Sequence, residues 1–135
     1  MAELTVDLVA ADRAIWSGTG RLVIARTGVG DIGIMPGHEP VLATLADGVV
    51  IIRSADGDQI FAVHGGFMSV SNDVVSLMAE TAEFADEIDI DRAKRALARA
   101  QAEAAKRAEP DESLLEAERR AENRLRAAEA KLTKH

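Results

Sequence analysis

The chain changes its hydrophobic pattern near residue 85. Before that point, short runs rich in Val, Ile and Leu are separated by turn signals, and several alternate between apolar and polar positions. The first run places four apolar residues at alternate positions, where they would share one face of a strand: Leu4, Val6, Leu8 and Ala10. Runs at 60–63 and 67–70 count as two separate strands. Residues 1–84 are therefore predicted to form an antiparallel β-sandwich of about eight to ten short strands.

Residues 85–135 follow a helical period instead. One apolar series repeats at spacings of three and four over a first segment: Ala93, Leu97, Ala100 and Ala104. A second series begins after the break at residues 109–111: Leu114, Ala117, Ala121, Leu125, Ala128 and Leu132. Asp89 or Asp86 can cap the first helix, and a capping box from Ser113 to Glu116 would open the second. The pattern predicts an antiparallel two-helix hairpin, so the fold class is α+β.

The seam between the two predicted helices consists mostly of alanine. A buried alanine contributes much less to packing than a buried leucine, which gives at most a few kcal/mol. Two such helices have a shallow mutual interface and little apolar surface left for docking on the sandwich. We expect a hairpin that can move.

Composition excludes several classes of protein. The 135 residues contain no cysteine, so neither disulfides nor a thiolate metal site can form. The net charge of −7 argues against a nucleic-acid partner. The N-terminal residues resemble no signal peptide, and no apolar run is long enough to insert into a bilayer. The three histidines are not at metal-ligand spacing and no serine lies in a nucleophile motif, so we expect no metal site and no enzyme active site.

Three glycines match the spacing of a dinucleotide-binding turn, G-x-G-x-x-G: Gly28, Gly30 and Gly33. That motif needs a helix to begin directly after the turn, because helical N–H groups hold the pyrophosphate. Pro36 and Pro40 prevent a helix there. The glycines are therefore interpreted as turn residues between strands.

Arginines are concentrated on the two predicted helices: Arg92, Arg95 and Arg99 on the first, and Arg119, Arg120, Arg124 and Arg126 on the second. One interpretation is a solvated surface with i,i+4 ion pairs, such as Glu116 with Arg120. The other is convergence of both clusters on an anion, either a nucleotide phosphate or an acidic protein surface. The pattern alone leaves both open.

Three segments together resemble the epsilon subunit of bacterial F-type ATP synthase: the glycine- and proline-rich run 30–40, the segment His64-Gly65-Gly66-Phe67 and the motif Ile88-Asp89-Ile90-Asp91-Arg92-Ala93. The resemblance covers essentially the whole chain. It implies a non-catalytic central-stalk subunit that joins the gamma subunit to the c-ring. It also implies a hairpin that can extend into the alpha/beta catalytic head and inhibit ATP hydrolysis. The subunit would be a peripheral component on the cytoplasmic face of the cell membrane.

The resemblance also implies functional residues. Gly30, Asp31 and His38 are candidates for contact with the c-ring or gamma. No cofactor is required, but ATP is a candidate regulatory ligand on the folded hairpin. Its residues would be Asp89 toward the purine or ribose, with the phosphates met by four arginines: Arg92, Arg99, Arg120 and Arg124. The alternative function is a free-standing β-sandwich binding module that its helical hairpin oligomerises.

Overall fold

The structure, a computed structural model, describes residues 2–106 and 111–132. Eight strands come first: β1 (Leu4–Ala10), β2 (Ala14–Gly20), β3 (Leu22–Thr27), β4 (Gly30–Ile34), β5 (Val41–Thr44), β6 (Gly48–Ser54), β7 (Gly57–Ser71) and β8 (Val74–Phe84). A short 3₁₀ turn (Ala85–Glu87) follows, and then two helices, α1 (Ile90–Ala105) and α2 (Glu112–Leu132). Neither helix, over these bounds, is long and apolar enough to cross a membrane.

The strands form the expected β-sandwich, in the order β2-β1-β8-β7-β6-β3-β4, with β5 paired to β7. The first half of β7 pairs with β6 and its second half with β5, so this long strand belongs to both parts of the sandwich. All pairs are antiparallel except β1 with β8, which run parallel with Thr5 opposite Val74. The α+β prediction is confirmed, and this parallel pair is an addition to it.

The strand β7 corrects one detail of the prediction. Residues 60–63 and 67–70 belong to one continuous strand of 15 residues rather than two. Gly65 and Gly66 lie inside it with φ of 69° and 119°. A Cβ on Gly66 would lie 2.1 Å from the Met78 carbonyl oxygen on β8. The glycines therefore permit close approach of two strands, where the sequence had suggested a break.

Alternation along the strands fills the core. Leu4, Val6 and Leu8 are all 0% exposed, as their spacing predicts. Their partners include Phe61, whose ring centroid lies 4.8 Å from that of Phe84 and 6.4 Å from that of Trp16.

The helix starts follow the capping prediction in one case and depart from it in the other. Asp89 caps α1, because its Oδ1 accepts the backbone N–H of Arg92 at 3.0 Å. At α2 the capping box is wrong: Asp111 rather than Ser113 precedes the first turn. The Asp111 carboxylate accepts both the backbone N–H of Ser113 at 2.9 Å and its hydroxyl at 2.6 Å. The helix therefore begins at Glu112.

Candidate functional site

The hairpin is docked on the sandwich through α2. A small buried cluster joins Ala127 of α2 to Ile60 and Ala62 of β7 and to Ala85 of the 3₁₀ turn. Half-buried side chains surround it: Val49, Ile51, Ile88 and Ala130. On its other side α2 packs along α1, where Ala93, Ala100 and Ala121 are buried as the seam predicts. Most of these contacts involve alanine, so the apolar contribution to docking is small.

A buried asparagine supplies polar contacts at this interface. Asn123 is 0% exposed, and its Nδ2 donates to the carbonyl oxygens of Gly48 and Val63, both at 3.1 Å. Gly48 and Val63 are opposite residues of β6 and β7, so one amide group holds α2 to both strands. The Oδ1 atom of Asn123 is buried without a hydrogen-bond partner.

An ion pair lies beside the asparagine. The Nε of Arg124, the next residue of α2, donates to Oε1 of Glu83 on β8. Both side chains are partly buried, which strengthens the pair relative to a fully solvated one. Together, Asn123 and Arg124 fix the rotation of α2 on the sheet.

A buried histidine lies under the same part of α2. His64 is 6% exposed, and neither ring nitrogen has a hydrogen-bond partner. Burial is the main cause that lowers the pKa of His64 below its usual value. Arg124 and Arg120 also lower this pKa, whereas Asp47 and Glu83 act to raise it.

The proposed nucleotide residues largely converge on one pocket of about 400 Å³ between β8, the 3₁₀ turn and the helices. Its lining includes four of the five predicted residues: Asp89, Arg92, Arg99 and Arg124. Arg95, which the sequence analysis placed in the arginine cluster but not among the nucleotide residues, also lines it. Arg120 is not among the lining residues, and its charge acts on His64 instead.

The pocket is not purely basic. Glu83 and Glu87 contribute carboxylates to the same lining. Asp89 uses one carboxylate oxygen to cap α1, which leaves the other for a ligand. The arginine side chains can bind an anion, and the neighbouring carboxylates weaken that attraction.

The residues proposed for c-ring or gamma contact lie in two places. Gly30 and Asp31 begin β4 beside the β3–β4 turn, where Val29 is fully exposed. Asp31 lies 3.9 Å from Nε of Arg26 across the hairpin. His38 lies beyond the other end of β4, in a loop that the N–H of Gly37 ties to Asp73 on the β7–β8 turn at 2.7 Å. The structure does not bring His38 to Gly30 and Asp31.

An exposed apolar row crosses the sandwich, and the sequence prediction missed it. Phe67 of β7 lies opposite Met78 of β8, which lies opposite Val9 of β1. Phe67 is 54% exposed, Met78 and Val9 are also exposed, and Leu42 of β5 lies beside them at 77%. We call these four residues the apolar face. Its sequence signal was apolar residues at positions where an alternating strand should be polar.

Comparisons with known proteins match one family over nearly the whole chain. A family model described as "ATP synthase, Delta/Epsilon chain, beta-sandwich domain" matches residues 3–85. The "ATP synthase epsilon chain" of Streptomyces avermitilis is 55% identical over 131 residues, which cover 96% of this chain and 98% of that protein. That of Thermobifida fusca is 50% identical over 132 residues, covering 95% and 93%.

Solved structures share this fold. A chain of the Euglena gracilis mitochondrial ATP synthase, described as OSCP/F1/c-ring, is 26% identical with a TM-score of 0.76; the match covers 98% of this chain and 82% of that one. A chain from the central stalk and c-ring of the Tetrahymena thermophila mitochondrial enzyme shares the fold, with a TM-score of 0.62 at 15% identity and 98% coverage of both.

Proposed function

The chain belongs to the family of ATP synthase epsilon chains, and on that premise we propose that it is the non-catalytic subunit that joins gamma to the c-ring in the central stalk. Its sandwich would be the adaptor and its hairpin the regulatory arm that inhibits ATP hydrolysis. As a peripheral subunit it would lie on the cytoplasmic face of the membrane. These assignments extend what the relatives' names state to the particular surfaces of this chain.

The apolar face carries the adaptor proposal. Phe67, Met78, Val9 and Leu42 are exposed on paired strands, whereas the described hairpin exposes only Leu115 among its large hydrophobic side chains. Contiguous apolar surface of this kind marks a protein-protein interface. We assign it to gamma, and the β3–β4 turn with Gly30 and Asp31 to the c-ring.

The weak apolar docking of α2 supports the regulatory part. Two positions of an arm can be regulated by a ligand only if their free energies differ by a few kcal/mol. The apolar side chains that α2 contributes to this interface are alanines, and one asparagine and one ion pair add polar contacts, which is consistent with such a small difference. ATP bound in the arginine pocket would stabilise the docked arm by mass action, because the pocket is shared by α1, α2 and β8.

Binding to gamma tests the adaptor proposal. Phe67→Asp should weaken gamma binding at least tenfold, because it places a charge at the centre of the apolar face. Leu115→Asp is the matched control, since it introduces the same charge at an exposed leucine of α2. The measurement is the dissociation constant for purified gamma, followed by ATP hydrolysis of the reconstituted catalytic head with and without each variant. Equal gamma affinity for both variants would contradict this surface, and unchanged hydrolysis with the wild-type chain would contradict the regulatory role.

A further inference from the structure

His64 is the buried titratable group that the proposed function leaves unused. It lies on the same face of β7 as Ile60 and Ala62, because side chains at alternate positions of a strand share a face. Ala127 of α2 belongs to the same buried cluster as those two residues. Asn123 of α2 hydrogen-bonds the carbonyl of Val63, the residue directly before the histidine. His64 is therefore covered by the docked helix.

The docked arrangement provides no hydrogen-bond acceptor for a charged imidazole at His64. An imidazolium carries two N–H donors, and both ring nitrogens of His64 are buried without an acceptor. A buried charge without hydrogen bonds is costly, and the group avoids it by staying neutral or by regaining solvent. His64 can regain solvent only if α2 moves away.

The charges that act on His64 come from three segments. Arg120 and Arg124 of α2 repel a proton on the ring, whereas Asp47, next to the start of β6, and Glu83 of β8 attract one. The carboxylate of Glu83 is already paired with Arg124. The cations are on the helix that moves and the anions are on the sandwich that stays. Removal of α2 therefore leaves a proton on His64 beside the anions and away from the cations.

We propose that protonation of His64 releases the hairpin from the sandwich. Docked α2 accommodates only the neutral imidazole, and protonation favours the undocked arm. This inference rests on the proposed mobility of the hairpin. Under the proposed function, acidification would then favour the extended, inhibitory position of the arm.

The direction of the pH effect on docking follows from proton linkage. The undocked, solvated histidine has the ordinary pKa of about 6.5, and the docked histidine has a lower pKa. The undocked state thus binds more protons, so docking is strongest above about pH 6.5 and is lost as the pH falls below that value. One linked proton changes the ratio of docked to undocked arms by at most about tenfold per pH unit.

The distance between two labels on the full chain tests the release. The chain has no native cysteine, so labels can be attached at Ala55→Cys in the exposed β6–β7 turn and at Arg126→Cys on the exposed side of α2. We expect a single short distance at pH 7.5 and a growing fraction of long distances down to pH 5.5. His64→Gln, which cannot be protonated, should keep the short distance throughout. His38→Gln is the matched control, and in the isolated chain its label distance should follow the wild-type pH dependence.

Two further measurements test the proposal if the His64→Gln chain fails to fold. His64→Leu, which has no buried ring nitrogen, should dock at every pH in this range. NMR titration of the wild type should give His64 a pKa below 6.5. A wild-type distance that does not depend on pH, a pH response that persists in His64→Gln or His64→Leu, or a His64 pKa of 6.5 or above would overturn the proposal. Because these readouts use the isolated chain, failure here is distinguishable from failure of gamma binding or of inhibition.

Discussion

At the scale of single residues, Gly66 is a strict steric requirement of the sandwich. Its φ is +119°, and an added Cβ would lie 2.1 Å from the Met78 oxygen and 2.7 Å from the Ala79 Cα. Because both neighbours are backbone atoms, they cannot move aside as a flexible side chain could.

Gly66→Ala should therefore reduce the free energy of unfolding by about 3 kcal/mol or more. Gly28→Ala is the control: no heavy atom lies within 4 Å of its added Cβ, so the change should stay below about 0.5 kcal/mol. Denaturant unfolding followed by the fluorescence of Trp16, the chain's one tryptophan, measures both. A similar loss in the two variants would contradict the steric explanation.

The pocket makes a second prediction at this scale. Arg92→Ala should weaken ATP binding to the isolated chain roughly tenfold, because it removes one charge-assisted contact to phosphate. Glu87→Gln should tighten binding, since it removes an opposing carboxylate from the same lining. Arg119→Ala is the control, an exposed arginine of α2 outside the lining. Calorimetric titration with ATP gives the three constants, and identical constants in all three variants would exclude ATP from this pocket.

At the scale of elements, Asn123 makes two hydrogen bonds between α2 and the sheet. Asn123→Ala should destabilise the docked arm by roughly 1–3 kcal/mol, because two buried carbonyls lose their donor. Hydrogen exchange of α2 amides measures the effect, which should be faster exchange with little change in β1 or β8. Glu122→Ala, a neighbouring substitution outside these contacts, is the control. Equal exchange in the two variants would show that Asn123 does not hold the helix.

The sequence predicted elements well where their signals are local. Alternation identified the Leu4, Val6 and Leu8 face, and the two aspartates before a helical period, Asp86 and Asp89, included the cap that the structure uses, Asp89. The β7 strand was divided in two because adjacent glycines usually mark a turn, and only the nearby β8 backbone shows their packing role. The parallel β1–β8 pair depends on long-range contacts that no local pattern contains.

The candidate site was predicted only in part for the same reason. Arg92 and Arg99 share one helix face, so their spacing brings them together, and the chain then adds Arg124 by folding the hairpin. The docking contacts were missed because α2 has a second stripe behind the one facing α1. Its members are Asn123, Ala127 and Ala130, at spacings of four and three. Because Asn123 is polar, a search for apolar repeats did not include it.

At the scale of the whole molecule, the distribution of exposed apolar surface bears on the alternative function. A hairpin that oligomerised a free-standing module would need an unpartnered apolar stripe on its helices. The described part of the hairpin instead covers its seam with its own two helices and its second stripe with the sheet.

We therefore expect the isolated chain to sediment as a monomer at micromolar concentration, and to form a complex of one copy each with gamma. Analytical ultracentrifugation with and without gamma measures both. A stable dimer that Leu115→Asp dissociates would favour the oligomerised module instead. A dimer that Phe67→Asp dissociates would indicate that the apolar face pairs with itself in the absence of gamma.

Because the first strand pairs with the last, we expect the sandwich to fold more slowly than the helices of the hairpin form. β1 cannot complete its hydrogen bonds until residues 74–79 have emerged, some seventy positions later along the chain. Such distant contacts slow the assembly of a domain, whereas helices and the short connections between them form in microseconds. The body is therefore built slowly and once, and the proposed opening and closing of the arm would not require the body to be rebuilt.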